Sequence, residues 1–164
     1  MTNSAFSLRD ADSSDVAIII AFIRELAEYE KLAHEMVATE DSIRHSLFGD
    51  NPAAEVVIAE VDDTPAGFAL YFRSYSTFLG RPGIYLEDLF VRRAHRGIGI
   101  GKALLRHVAG IACARDYGRL EWAVLDWNEP AIGLYEQMGA RAMGDWTTYR
   151  VSGDSLLAMA QSRD

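Results

Sequence analysis

A chain of 164 residues, 49% apolar and 24% charged, has the length and balance of one globular domain that buries a core without disulfides or metals. Its net charge of −8 argues against a nucleic-acid binder, and no window nears the run of about 20 apolar residues that a membrane span needs. One cysteine, Cys113, leaves no internal disulfide and suits a reducing cytoplasm, and the first residues lack the basic and apolar regions of a signal peptide.

Phe6 and Leu8 begin the chain as a strand. Ser13 or Ser14 caps a helix to about Lys31, with Val16, Ile19, Ile20, Ile23, Leu26 and Ala27 at helical spacing. A short helix follows Thr39, with Ile43 and Leu47 on one face, and stops near Gly49. Glu55 to Val61 is a strand, Asp62-Asp63-Thr64-Pro65 a turn, and Gly67 to Tyr75 the return strand. Ile84 to Val91 is the next strand. A helix from Gly99 to about Asp116 buries Leu104, Leu105, Val108 and Ile111, and Cys113 in the same pattern is expected in the core. Leu120 to Leu125 reads as a strand, Asn128 to Met138 as a helix ended by Gly139, Arg141 to Val151 as a last strand and Asp154 to Gln161 as a terminal helix. Without repeats or long linkers, residues 1–164 read as a single domain. The alternation predicts an α/β fold, a central sheet with helices on both faces.

Arg96-Gly97-Ile98-Gly99-Ile100-Gly101 joins a strand to a helix. Glycines there let main-chain N–H groups converge, and the free amides and dipole of the helix start add positive potential, so a pyrophosphate fits. Arg96 and Lys102 add side-chain charge, and Arg92, Arg93 and His95 extend a local basic cluster on an acidic chain whose remaining field attracts a cation. The third glycine falls at the wrong offset for a dinucleotide fingerprint, and the Lys-Ser/Thr ending of a P-loop is missing. A tight turn without a ligand is the alternative for the loop alone, and solubility is the alternative for the charge.

The surrounding residues add to the loop. The strand Ile84-Tyr85-Leu86-Glu87-Asp88-Leu89-Phe90-Val91 runs into Arg92-Arg93-Ala94-His95-Arg96 and the glycines. This resembles the acetyl-CoA signature of the GNAT N-acetyltransferase superfamily, Gln/Arg-x-x-Gly-x-Gly/Ala, with Arg96, Gly99 and Gly101 in place. Tyr85 to Asp88, Gly97 to Gly101, Trp127-Asn128-Glu129-Pro130 and Leu134-Tyr135 resemble its diamine acetyltransferase branch, over about Leu8 to Trp146. The resemblance implies a mostly antiparallel mixed sheet, splayed at the cofactor site. It also implies acetyl-CoA as co-substrate, a homodimer and no resident metal.

The resemblance also implies roles. Main-chain groups of Leu89, Phe90 and Val91 would meet the pantetheine arm, although as side chains these read as core. Residues Arg96, Gly97, Ile98, Gly99, Ile100, Gly101 and Lys102 would hold the pyrophosphate, and Asn128, Pro130 and Ala131 would also touch the cofactor. The residues alone make Asn128 a helix N-cap. Tyr135 would be the general acid toward the leaving thiolate, against the alternative of a buried phenol satisfied elsewhere. Glu87 would be the base that takes a proton from the ammonium. Strand alternation places Glu87 and Leu89 on one face and Asp88 and Phe90 on the other, so Asp88 is expected to pair with a buried polar partner. Tyr29 and Glu30 would contact the distal part of the substrate.

Ser76 and Phe78 stand where the polyamine enzymes carry an aspartate and a tryptophan. The loss of that carboxylate, together with Ala123 to Asn128, is closer to thialysine acetyltransferases and leaves room for an amino acid whose carboxylate Arg73 or Arg81 binds. The expected substrate is therefore a small lysine-like amine or a short diamine. Polyamine acetylation, protein N-terminal or lysine acetylation, and an inactive acyl-CoA-binding sensor remain the alternatives.

Overall fold

A computed structural model describes residues 5–161. Its elements fall into two compact units, one up to Trp127 and one from Asn128 onward.

The first unit is a five-stranded sheet in the order β1-β2-β3-β4-β5. The strands are β1 (Ser7–Asp10), β2 (Glu55–Val61), β3 (Thr64–Ser76), β4 (Arg81–Val91) and β5 (Leu120–Glu121). Neighbours are antiparallel except β4 and β5, which are parallel. Asp62 and Asp63, at φ 47° and 59°, make the two-residue turn that closes β2 onto β3 with Val61 opposite Thr64. That left-handed pair matches the strand twist, and aspartate tolerates it better than most residues.

Helices α1 (Val16–Tyr29) and α2 (Glu40–Phe48) cover one face. Ile19, Phe22, Leu26 and Leu47 pack there with Val56, Ile58, Phe68, Leu70 and Phe90, and the Phe22 and Phe68 rings stack at 5.2 Å. Helix α3 (Ile100–Ala114) packs on β4, β3 and β2 through buried Ile100, Leu104, Leu105 and Val108. Because residues alternate across a strand, Leu70 and its neighbour Tyr71 point to opposite faces, and Tyr71 lies on the face away from α1.

Local chemistry places the helix starts. Thr39 caps α2 reciprocally with Ser42. Ahead of α1, the cap of the short turn Ser13–Asp15 is Asp12, not Ser13 or Ser14. Asp12 accepts from the Ser14 N–H, and the Asp15 carboxylate accepts from the Asp12 N–H while Arg9 grips it at 2.7 Å. The Asp12 carboxylate makes the cap, and the Arg9 guanidinium holds Asp15 in place for the reciprocal bond. Cys113 is exposed, a correction to its expected burial, because the buried stripe of α3 runs through Val108 and Ala112 and leaves residue 113 outside it.

In the second unit, α4 (Glu129–Gln137) starts at Asn128, whose Oδ1 accepts from the Ala131 N–H at 3.4 Å, with Pro130 in the first turn. Gly139, at φ 89°, ends it as expected. Helix α5 spans Gly153–Gln161.

Two strand expectations fail. The strand read at Leu120 to Leu125 is paired only at Leu120 and Glu121. Among the described residues of the second unit, 141–151 form no strand, and each side chain there is exposed. Alternation marks a segment that can pair, whereas a strand exists only where a neighbour supplies its hydrogen bonds. Among the described residues, no helix is long and apolar enough to cross a membrane.

Candidate active site

Strand β4 leads from the sheet into the glycine loop. Beyond Tyr85 opposite Glu121, β4 and β5 no longer pair, so the sheet is open along the second half of β4. Arg96 bridges the loop to this edge. Its Nε donates to the Val91 carbonyl at 2.8 Å, and its guanidinium stacks 4.9 Å from the Tyr29 ring and 5.7 Å from the Phe90 ring. Gly97 and Gly99 take φ of 85° and 95°, the left-handed region that glycine enters without strain. No atom lies within 4 Å of where a Cβ would stand at either, so the loop is uncrowded. Gly99 is the N-cap of α3 and offers no side chain to the first-turn amides, which the helix itself leaves free. Ile98 is exposed, while Ile100 is buried and presents only its main chain. An uncapped helix start behind an open glycine turn fits a pyrophosphate, with Arg96 and exposed Lys102 alongside. Arg92 is used differently. It forks onto Glu25 of α1 at 2.7 and 3.0 Å, reaches the Pro65 carbonyl and lies over Phe22, tying α1 to β4.

The acids gather on the other side of this junction. In β4, Asp88 pairs with Leu70 and Leu86 pairs with Tyr71, so Glu87 is an extra residue, a β-bulge. The bulge breaks the alternation. Before it, Ile84 and Leu86 share the face of Tyr71; after it, Asp88 and Phe90 share the face of Leu70 and α1. Glu87, next to Leu86, is on the α1 face as well. The two adjacent acids therefore lie on one side of the sheet, contrary to the alternation expected from sequence. The charged neighbours of Asp88 are Glu87 and Glu30. Burial first, then the charges of Glu87 and Glu30, push the half-buried Asp88 carboxyl up to about 7. Glu30 caps the C-terminal end of α1, and burial and the Glu87 charge raise its pKa too. Glu87 itself is exposed.

The first unit thus brings together Tyr29, Glu30, Glu87, Leu89, Phe90, Val91 and the 96–102 loop. Ser76 and Phe78 lie elsewhere in this chain. They belong to the β3–β4 turn, where Ser76 pairs with Arg81, roughly 20 Å along β4 from Glu87 at about 3.3 Å per residue. The buried Ser76 Oγ accepts from the Leu79 N–H, and Phe78 is 92% exposed. Arg81 shares that far end and binds Asp116, and Arg73, opposite Ile84, points to the face away from Glu87. Asn128, Pro130, Ala131 and half-buried Tyr135 are in the second unit, at the start of α4 and in its last turns.

Sequence reasoning passed over two residues as site groups. One is Asp88, hidden by the bulge, for which the Glu-Asp doublet in an apolar strand was the available signal. The other is Trp127, whose ring lies 5.9 Å from Tyr29 and 5.2 Å from the Lys31 ammonium. Trp127 opens the segment Trp127-Asn128-Glu129-Pro130, but nothing in the sequence ties it to α1.

Residues 20–140 match the Acetyltransferase (GNAT) family. The chain is 37% identical to a thialysine N-epsilon-acetyltransferase of Sus scrofa, over 93% of this chain and 96% of that protein. It is 34% identical to an L-ornithine N5-acetyltransferase of Arabidopsis thaliana, over 93% and 86%. Among solved structures, an integron cassette protein from the mobile metagenome of V. cholerae superposes with a TM-score of 0.80 at 28% identity, over 96% of this chain and 99% of that one. With a family match across most of its length and acetyltransferases as relatives at this level of identity, the chain belongs to the GNAT acetyltransferase family and is an acetyltransferase.

Proposed function

We propose that this enzyme transfers acetyl from acetyl-CoA to a primary amine of a small, lysine-like or diamine substrate, by direct attack with both substrates bound. One observation carries the reading: the β4 bulge collects Glu87 and Asp88 with Glu30 on one side of the strand whose end feeds the glycine loop. Three carboxyls there suit a cation, and amides at the loop suit a diphosphate. Relatives named for thialysine and ornithine acetylation support an amino acid acceptor over spermidine.

In this reading the amides of residues 97–102, with Arg96 and Lys102, hold the pyrophosphate. Main-chain groups of Leu89, Phe90 and Val91 on the unpaired half of β4 hold the pantetheine arm, and an N–H there stabilises charge developing on the thioester oxygen. Asn128, Pro130 and Ala131 contact the cofactor from α4. Glu87 takes the proton that the ammonium must lose before its lone pair can attack, directly or through water. Tyr135 gives a proton to the departing thiolate. Tyr29 and Glu30 receive the distal part of the substrate, and Ser76 and Phe78 act at a substrate site completed by a second copy. An exposed β3–β4 tip bearing Phe78 and Leu79 supports a homodimer. The family match crosses the boundary at Trp127, which supports both units working as one domain, and the lone thiol suits a cytoplasmic enzyme.

The test is thiol release from acetyl-CoA with lysine analogues, diamines, polyamines and peptides. Turnover of lysine-like amines is expected; turnover of peptides alone, or CoA binding without turnover, overturns the reading. Tyr135→Phe is expected to lower kcat about ten- to a thousandfold. Glu87→Gln is expected to depress the rate mainly at low pH, where free amine is scarce, and a wild-type pH profile removes it as the base.

A further inference from the structure

An amino acid acceptor presents two groups besides the reacting amine, an α-ammonium and an α-carboxylate. The carboxyls around Glu87 offer nothing to the second, and the two arginines that sequence put forward are misplaced: Arg73 faces the other side of the sheet, and Arg81 is engaged with Asp116 at the far end of β4.

The parallel register supplies another candidate. Tyr85 of β4 lies beside Glu121 of β5 at the last pair before the sheet opens. Paired residues share a face, and Tyr85 and Glu87 are two apart on the stretch that precedes the bulge break. Glu121, Tyr85 and Glu87 therefore all lie on the α1 side. Arg119, two residues before Glu121, forms an ion pair with it through Nε. Both side chains are about half exposed, at 45% and 42%, so an incoming solute can reach them. The Tyr85 hydroxyl registers both acids: burial raises its pKa first, then the charge of Glu87, then that of Glu121.

Resting on the proposed function, the geometry points to the Arg119–Glu121 pair as the reader of the substrate's α-carboxylate and α-ammonium, with the side-chain amine at Glu87. Two residues along β4 and one strand across separate Glu121 from Glu87 by about 8 Å at the usual sheet spacings. An extended chain of lysine length places its two nitrogens about 7 Å apart. When substrate binds, Arg119 exchanges the Glu121 carboxylate for the substrate carboxylate, and Glu121 exchanges the guanidinium for the α-ammonium. Each charge stays paired, so exchange costs little desolvation. The forked guanidinium suits a planar carboxylate. A diamine uses only the Glu121 half of the site.

The experiment measures KM on the purified full chain, with saturating acetyl-CoA, for L-lysine, 1,5-diaminopentane (no carboxylate) and 6-aminohexanoate (no α-amine). Arg119→Met is expected to raise KM for L-lysine at least about tenfold more than for 1,5-diaminopentane, the size expected for losing a charged hydrogen-bonded contact. Arg119→Lys is expected to restore part of the loss. Glu121→Gln is expected to raise KM for L-lysine and 1,5-diaminopentane more than for 6-aminohexanoate. Equal shifts for all three amines, as from general loosening of the fold, or no shift for L-lysine, overturn the assignment while the proposed function stands. A wild-type enzyme that acetylates none of the three overturns both.

Discussion

A carboxyl group set among other carboxyls and partly removed from water gives up its proton late, and Asp88 is in that position. Its folded-state value of about 7 lies above the unfolded value of 3.8, so between those limits the folded chain holds a proton that the unfolded chain has lost. Folding is then favoured below about pH 4 relative to pH 7, and this contribution is lost as pH rises toward 7. Asp88→Asn removes the titration. The expected outcome is a melting temperature that falls less between pH 5 and pH 8 in the variant than in wild type, with the variant the more stable at pH 8. Parallel melting curves across that window would show that Asp88 is ionised throughout. This residue also marks where reading from sequence stopped. The doublet Glu87-Asp88 was visible, but the side each acid takes depends on a bulge against Leu70 and Tyr71. This bulge is a matter of register between β3 and β4, and no glycine adjacent to Glu87 in the strand marks it.

Elements whose cause is local were legible. Thr39 and Asn128 cap the helices expected of them, and the period of Ile19, Leu26, Leu104 and Val108 announced the buried stripes of α1 and α3. The short β5 and the missing strand at Arg141 to Val151 were not, because pairing is a property of two segments. Helix α3 gives a test of local cause. Gly99 sits before its first turn at φ 95°, while Gly110 lies inside it; at neither is any atom within 4 Å of the Cβ position. Space is thus equal, and backbone conformation alone decides. Gly99→Ala is expected to destabilise by about 1–2 kcal/mol, the cost of a left-handed residue with a side chain. It should also weaken acetyl-CoA binding. Gly110→Ala is expected to stabilise by about 0.5–1 kcal/mol through helix propensity. Denaturant unfolding of both variants reads the two signs, and a shared sign would refute the backbone argument.

The whole chain carries −8 and yet must bind an anion and a cation if the proposed function holds. At long range the field attracts the amine and repels acetyl-CoA, which is drawn only by the local amides and cations of residues 96–102. Salt should therefore separate the two substrates. Raising the ionic strength from about 0.02 M to about 0.3 M shortens the screening length from roughly 20 Å to roughly 6 Å. Over that range kcat/KM for 1,5-diaminopentane, a dication, is expected to fall several-fold. For acetyl-CoA the lost local attraction and the lost global repulsion offset each other, so its KM should change less. The comparison with 6-aminohexanoate isolates the field: with no net charge at pH 7, it should show a much smaller salt effect than the diamine at the same active site. A diamine whose kcat/KM ignores salt would mean that the acids on the α1 side of β4 act only at contact, and that the net charge serves solubility alone.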